Sequence, residues 1–197
     1  MRLPALLALL VLPAMTGPAA SPGGGRMMGV PSAPVKVEVF SDFQCPACKS
    51  LHEETLRPLA VDYVRTGKVY LINRYFPLNG HAYSRPSANL VCAAERIGKY
   101  QQVADAVFAS QAVWSANGQV EAAALKPLTP AEAAKVRALA KDPSVAAEVQ
   151  KDYELGEKIP VRQTPTILIS KGAKQYPLTG FVSYQILRRF IDELIAK

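Results

Sequence analysis

The sequence predicts an α/β fold in the order βαβ, a helical block, then ββα. Three observations predict it. Two β-branched runs flank a stretch with apolar residues at helical spacing. The middle of the chain is rich in Ala, Gln, Lys and Glu and has few β-branched runs. The C-terminal part returns to a strand–turn–strand–helix pattern. With 197 residues, the chain can form one well-cored domain, or one domain carrying a sizeable insertion.

The first run, "VKVEVF" (Val35 to Phe40), alternates Val with Lys36, Glu38 and Phe40, the period-2 signature of a strand. From about Pro46 to Thr66, Leu51, Leu56, Leu59 and Val64 recur at helical spacing. Pro46 suits a first helical turn, where its missing N–H costs nothing. Pro58 should kink the helix and Gly67 should stop it. "KVYLINRYF" (Lys68 to Phe76) is the second strand. A crossover helix of that length makes the two strands parallel.

An all-helical insertion is expected over about 83–156, with helices at Arg85–Ile97, Lys99–Ala109, Pro130–Ala140 and Pro143–Gly156. Thr129, Pro130 and Glu132 form a capping-box pattern, and Trp114 is expected to pack inside the block. "TILIS" (Thr166 to Ser170) is a strand and "KGAK" (Lys171 to Lys174) a turn. "QYPLTG" (Gln175 to Gly180) is its antiparallel partner, placed at an edge by Pro177. Ser183 to Ala196 is amphipathic, with Leu187, Phe190, Ile191, Leu194 and Ile195 on one stripe.

The N-terminus has Arg2, a leucine-rich run from Leu3 to Ala14, and small residues at Ala19 and Ala20. This is the pattern of a secretory signal peptide over residues 1–20. A membrane anchor is the alternative. The run is shorter than the roughly 20 residues a bilayer needs, and Pro4 and Pro13 interrupt it. No cysteine lies near the cleavage region, which disfavours a lipoprotein. Residues 21–34, rich in Gly and Pro, are expected to be a flexible leader before a domain spanning 35–197.

The net charge is +7, with lysines and arginines scattered. There is no basic block and no aromatic–basic interleaving, so nucleic-acid binding is not expected.

Three cysteines are present, and two of them, Cys45 and Cys48, form C-x-x-C at the start of the first helix. Such a pair can bind a metal, staple the fold or exchange electrons. A metal site would use Cys45, Cys48 and His52, but zinc normally takes four ligands and no second paired cluster exists. Copper handling is the other metal reading, since soft thiols suit Cu(I). A staple closing so short a loop constrains little of the unfolded chain. Cys92, among small apolar residues, is expected to act as a small buried hydrophobe, with a regulatory disulfide as the alternative.

A strand ending in C-x-x-C at a helix start, a later Thr-Pro before a β-hairpin, and a final helix resemble the thioredoxin fold. The helical insertion resembles that of the DsbA-like thiol-disulfide oxidoreductases. The matching stretches are "FSDFQCPACK", "RYFPLNGHAYS", "CAAERIGKY" with "VFASQAVW", and "VRQTPTILI". They cover the chain from about Val35 to its end.

The resemblance implies that Cys45 is the attacking sulfur and Cys48 the resolving one, and no organic cofactor is then needed. The residue chemistry agrees: a sulfur just before a helix's first turn faces unpaired N–H groups and the positive end of the dipole. The resemblance also implies a cis Thr164–Pro165 bond facing the pair, with Thr164 near the Cys45 sulfur. His81 matches a histidine common in the family. Glu38 matches an acidic residue on the first strand of relatives, and is expected as a buried carboxylate of raised pKa relaying protons for Cys48. A charge paired with Lys36 is the alternative.

Across family examples, potentials span about 150 mV, or about 7 kcal/mol. Nucleophile pKa values range from about 7 to about 3.5, or about 5 kcal/mol. Thiolate stabilisation therefore supplies much of a member's oxidising power. Pro46 and Ala47 between the cysteines supply no side-chain hydrogen bond and no charge. Strongly oxidising members carry His after the Pro, so a less oxidising couple is expected here. The expected partners are cysteine-containing exported proteins and, by family analogy, a membrane quinone-linked reoxidase. A monomeric oxidase is favoured over an isomerase, since the leader is too short for a dimerisation domain.

Overall fold

The computed structural model describes residues 25–159 and 161–196; the expected signal peptide lies outside them. A five-stranded sheet has the order β1-β3-β2-β4-β5. Its strands are β1 (Met27–Met28), β2 (Val35–Ser41), β3 (Val69–Tyr75), β4 (Thr166–Lys171) and β5 (Lys174–Thr179). β2 and β3 are parallel with Val35 opposite Val69, while β4 runs antiparallel to β2 and β5 antiparallel to β4. Pro177 sits on the edge strand β5, where a missing N–H breaks no ladder. The hairpin turn places Gly172 at φ 55°.

The alternation in β2 gives the sheet two unlike faces. Val35, Val37 and Val39 pack with Leu51, Leu59, Ile167, Ile169, Leu187 and Ile191 in one core. That core sits under the first helix and under α9 (Tyr184–Ala196). Phe40 points the other way, against Phe76 and Val161. On this face α8 (Pro143–Lys158) lies very close. A Cβ on Gly156 would come within 2.5 Å of the Phe76 ring and 3.1 Å of Phe40, so only glycine permits the approach.

The first helix opens as α1 (Pro46–Ser50) and includes α2 (Arg57–Leu59). The stretches Leu51–Leu56 and Ala60–Val64 are π-helical. Pro58 has no N–H to donate, and the helix takes it up in wider turns on both sides.

The helical insertion comprises α3 (Ser84–Glu95), α4 (Tyr100–Ala109), α5 (Gln111–Asn117), α6 (Val120–Leu125), α7 (Pro130–Leu139) and α8. Two of these, α5 and α6, are additional to the four expected. Both are short, and Gly118 at φ 75° separates them at an Asn-Gly pair that reads as a turn. The Thr129–Glu132 capping box is formed. Trp114 is buried and its indole N–H donates to the Val107 carbonyl at 2.7 Å.

Residues 25–34 depart from the expected flexible leader. Met27 and Met28 pair antiparallel with Ile72 and Leu71. Arg26 is buried and bridges Glu95 (3.0 Å), Glu148 (2.8 Å) and Asp152 (2.6 Å). A guanidinium meeting three carboxylates ties this segment to α3 and α8.

Candidate active site

β2 ends at Ser41, and the loop after it delivers Cys45 as the residue preceding α1, with extended backbone (φ −78°, ψ 121°). Pro46 occupies the first turn, and the Cys45 carbonyl accepts from the N–H groups of Cys48 (3.1 Å) and Lys49 (3.2 Å). Both cysteines are free thiols. Cys45 is 8% exposed and Cys48 1%, which makes Cys45 the more accessible residue of the pair.

The Thr164–Pro165 bond is cis. Cys45 Sγ lies 3.4 Å from the Thr164 carbonyl oxygen, to which it donates when protonated, bringing together residues 119 apart in the chain. The Thr164 hydroxyl is buried and has no hydrogen-bond partner among the described residues.

The two sulfurs are driven in opposite directions. Donation from the Cys48 thiol holds Cys45 down to about 5, against the opposing effect of burial, with the neighbouring Thr164 and the N–H groups of Cys48 and Ala47 adding to it. Burial pushes Cys48 well up, and the neighbouring Cys45 adds to that. One sulfur is therefore an anion at neutral pH and the other a thiol.

This fixes a pH dependence. The folded-state value for Cys45 is depressed from 9.0 to about 5. Its ionisation thus stabilises the reduced fold fully above the unfolded value, and that contribution is lost as pH falls through about 5. Iodoacetamide labelling of Cys45, followed by mass spectrometry, should be flat from about pH 7 to 8 and fall about tenfold per unit below the folded value. A rate still climbing towards pH 9 would mark an ordinary thiol.

Glu38 corrects the expectation of a raised pKa. It is buried, 5% exposed, but shares its face of β2 with Lys36 and Phe40. Its carboxylate pairs with Lys36 (2.6 Å) and Arg74 (2.7 Å). Burial alone would raise its pKa, yet the hydrogen bonds and charges of Lys36 and Arg74 outweigh burial and lower it. The valine face, not the Glu38 face, packs under the cysteine-bearing helix.

Two residues of the site have no sequence signal of their own. Gln111, at the start of α5, is buried and donates to the carbonyls of Phe43 (2.7 Å) and Cys45 (3.0 Å). Asp42 is 1% exposed and its N–H donates to Cys48 Sγ at 3.4 Å. The only hint in the sequence is an acidic residue directly after a buried strand.

His52 lies away from the sulfurs in its contacts: Nε2 meets Asp105 Oδ1 at 2.6 Å and its ring packs on Phe108 at 4.8 Å. Cys92 is fully buried in α3, and burial pushes its thiol up to about 12. A groove of about 810 Å³ runs beside the first helix and β1, lined by Met28, Leu56, Val61, Arg65 and Gln101 among others, and neither Cys45 nor Cys48 lines it. Among the described residues no helix is long and apolar enough to cross a membrane.

The chain is similar to several known proteins. A probable disulfide bond formation protein D of Bacillus cereus is 42% identical over 55 residues, which is 28% of this chain and 26% of that one. The chain thus matches about a quarter of that relative's length. Disulfide bond formation protein D of Bacillus subtilis is 21% identical over 179 residues, covering 86% of this chain and 77% of that one. Among solved structures, Wolbachia pipientis alpha-DsbA1 superposes with a TM-score of 0.72 at 23% identity, covering 87% of this chain and 90% of that one. Oxidised BdbD from Bacillus subtilis gives 0.70 at 22%, covering 88% and 94%. These likenesses show the same fold. The family described as Thioredoxin matches residues 21–193, and the chain belongs to it.

Proposed function

We propose that this chain is an exported thiol-disulfide oxidoreductase that passes the Cys45–Cys48 disulfide to cysteines of other exported proteins, acting as a monomeric thiol oxidase. The observation that carries the reading is the opposed pair of sulfurs: Cys45 lowered to about 5 at a helix start, Cys48 raised beneath it. The names of the Bacillus relatives, disulfide bond formation proteins, point the same way.

In the proposed cycle a substrate thiolate attacks Cys45 Sγ of the oxidised pair. The Cys45–Cys48 bond breaks, and Cys48 leaves as a thiolate and takes a proton. A second substrate thiolate attacks the substrate sulfur of the mixed disulfide, and Cys45 leaves. The substrate loses two electrons and the pair gains them. The low pKa of Cys45 makes it a good leaving group at this second step. The Thr164 carbonyl beside Cys45 offers main-chain polarity along which an extended substrate can lie. A membrane quinone-linked partner is the proposed reoxidant.

Equilibration with glutathione mixtures tests the direction. The Cys45 value lies between those of reductants and of the strongest oxidants, about 7 and about 3.5. The expected potential is accordingly lower than about −120 mV and higher than about −270 mV. A value at or below the lower bound would make the protein a reductase and overturn the oxidase reading.

A further inference from the structure

Asp42 stands at the junction of three segments. Its carboxylate is fully screened from solvent. Oδ1 accepts from Gln44 N–H at 2.7 Å and from the Ser84 hydroxyl. Oδ2 accepts from Leu78 N–H at 2.9 Å and meets His81 Nδ1 at 2.7 Å. Four partners saturate both oxygens, and they come from the active loop, from the connector after β3 and from the first residue of α3. None of them is a cysteine.

The other end of the same residue touches the chemistry. Asp42 N–H donates to Cys48 Sγ at 3.4 Å, and the Asp42 carbonyl accepts from Cys45 N–H at 3.1 Å. Cys48 is buried, so its thiolate lacks water and needs fixed donors. Burial raises Cys48, and the Asp42 N–H and the Ser41 hydroxyl oppose it. A peptide N–H in a loop is an effective donor only while the loop holds its direction.

We propose that Asp42, held by Ser84 and His81, is a positioning residue for the resolving cysteine: its carboxylate fixes the loop so that its own N–H stays aimed at Cys48 Sγ. The inference rests on the thiol-disulfide exchange reading and names what its resolving step requires. In that step Cys45 carries a mixed disulfide to a thiol R. Cys48 gives its proton to solvent base, and its thiolate attacks Cys45 Sγ. The Cys45–Cys48 bond forms, the bond to R breaks, and R leaves with the electron pair and takes a proton. No further oxidant is needed.

The test mixes reduced full chain with oxidised glutathione and follows two rates by acid quenching and mass spectrometry. One is formation of the Cys45–glutathione adduct, the other release of glutathione by Cys48. Asp42→Ala should slow release by about tenfold or more, the loss of a hydrogen bond to a charged group, and should slow adduct formation far less. Asp42→Asn keeps an acceptor for Gln44 and Ser84 and should recover part of the rate. Ser84→Ala, which removes one anchor, should slow release by about threefold and serves if Asp42→Ala does not fold. A general loss of structure would slow both steps together, so equal slowing overturns the proposal. Release at the parent rate in folded Asp42→Ala or Ser84→Ala, or faster release with the charge gone, also overturns it. Failure of the parent protein to release glutathione at all would overturn the exchange reading itself, a result separate from any variant's.

Discussion

Replacing Cys45 by Ser is expected to abolish both insulin reduction and dithiol oxidation, a loss of at least about a thousandfold, because a serine hydroxyl neither ionises near neutral pH nor forms a disulfide. Replacing Cys48 by Ala should instead stop the cycle half way. Cys45 remains in place before α1, so it can still form a mixed disulfide, and no second sulfur releases it. Reaction with oxidised glutathione should leave a single stable adduct, read as one added glutathione by mass spectrometry. The same variant loses the leading donor to the Cys45 sulfur. Its Cys45 should therefore titrate above the parent's value, and labelling at about pH 6 should slow. Turnover in Cys45→Ser would place the exchange elsewhere, and a Cys48→Ala protein that cycles normally would remove the resolving role.

Replacing Arg26 by Ala should cost about 3–5 kcal/mol, the penalty for leaving buried charges uncompensated. Arg26 is shared by Glu95, Glu148 and Asp152, and without it Asp152 keeps, among the described residues, Arg74 at 3.0 Å as its cation. For a chain of this size the melting point should fall by about 10 °C. Acid should narrow the gap. Burial raises Glu95 even with Arg26 beside it, and Arg26 is what holds that rise down. A carboxyl whose folded value lies above its unfolded value weakens the fold when ionised, and that cost disappears below the unfolded value. Removing Arg26 raises Glu95 further, so the deficit should be larger at pH 7 than at about pH 4. Thermal unfolding at both pH values checks this. A melting point within about 2 °C of the parent at pH 7 would show that the bridge contributes little.

The strand and helix order was legible because each element carries its own periodicity, and Cys45 with Cys48 was legible because the pair is local. Glu38 shows where periodicity stops: alternation assigns Lys36, Glu38 and Phe40 to one face of β2 but does not say what covers it. Only the fold places α8 and Arg74 there. Arg26 reaches a carboxylate 126 residues away, Gln111 a carbonyl 66 away, and Asp42 a hydroxyl 42 away. Each reads as an ordinary polar residue until tertiary contact gives it a partner. The short helices α5 and α6 were hidden because packing around Trp114, rather than local propensity, sustains them.

The contacts of Gln111 and Ser84 bear on how this architecture can be re-engineered. A designer wishing to shrink the chain would cut out the insertion as a cassette and rejoin β3 to β4. That excision would take away the amide that satisfies the Phe43 and Cys45 carbonyls and the hydroxyl that anchors Asp42. The minimal protein would keep the cysteines and lose the frame that aims them. The helical block is therefore not an interchangeable accessory: grafting a foreign one would require a matching amide and hydroxyl at those two positions.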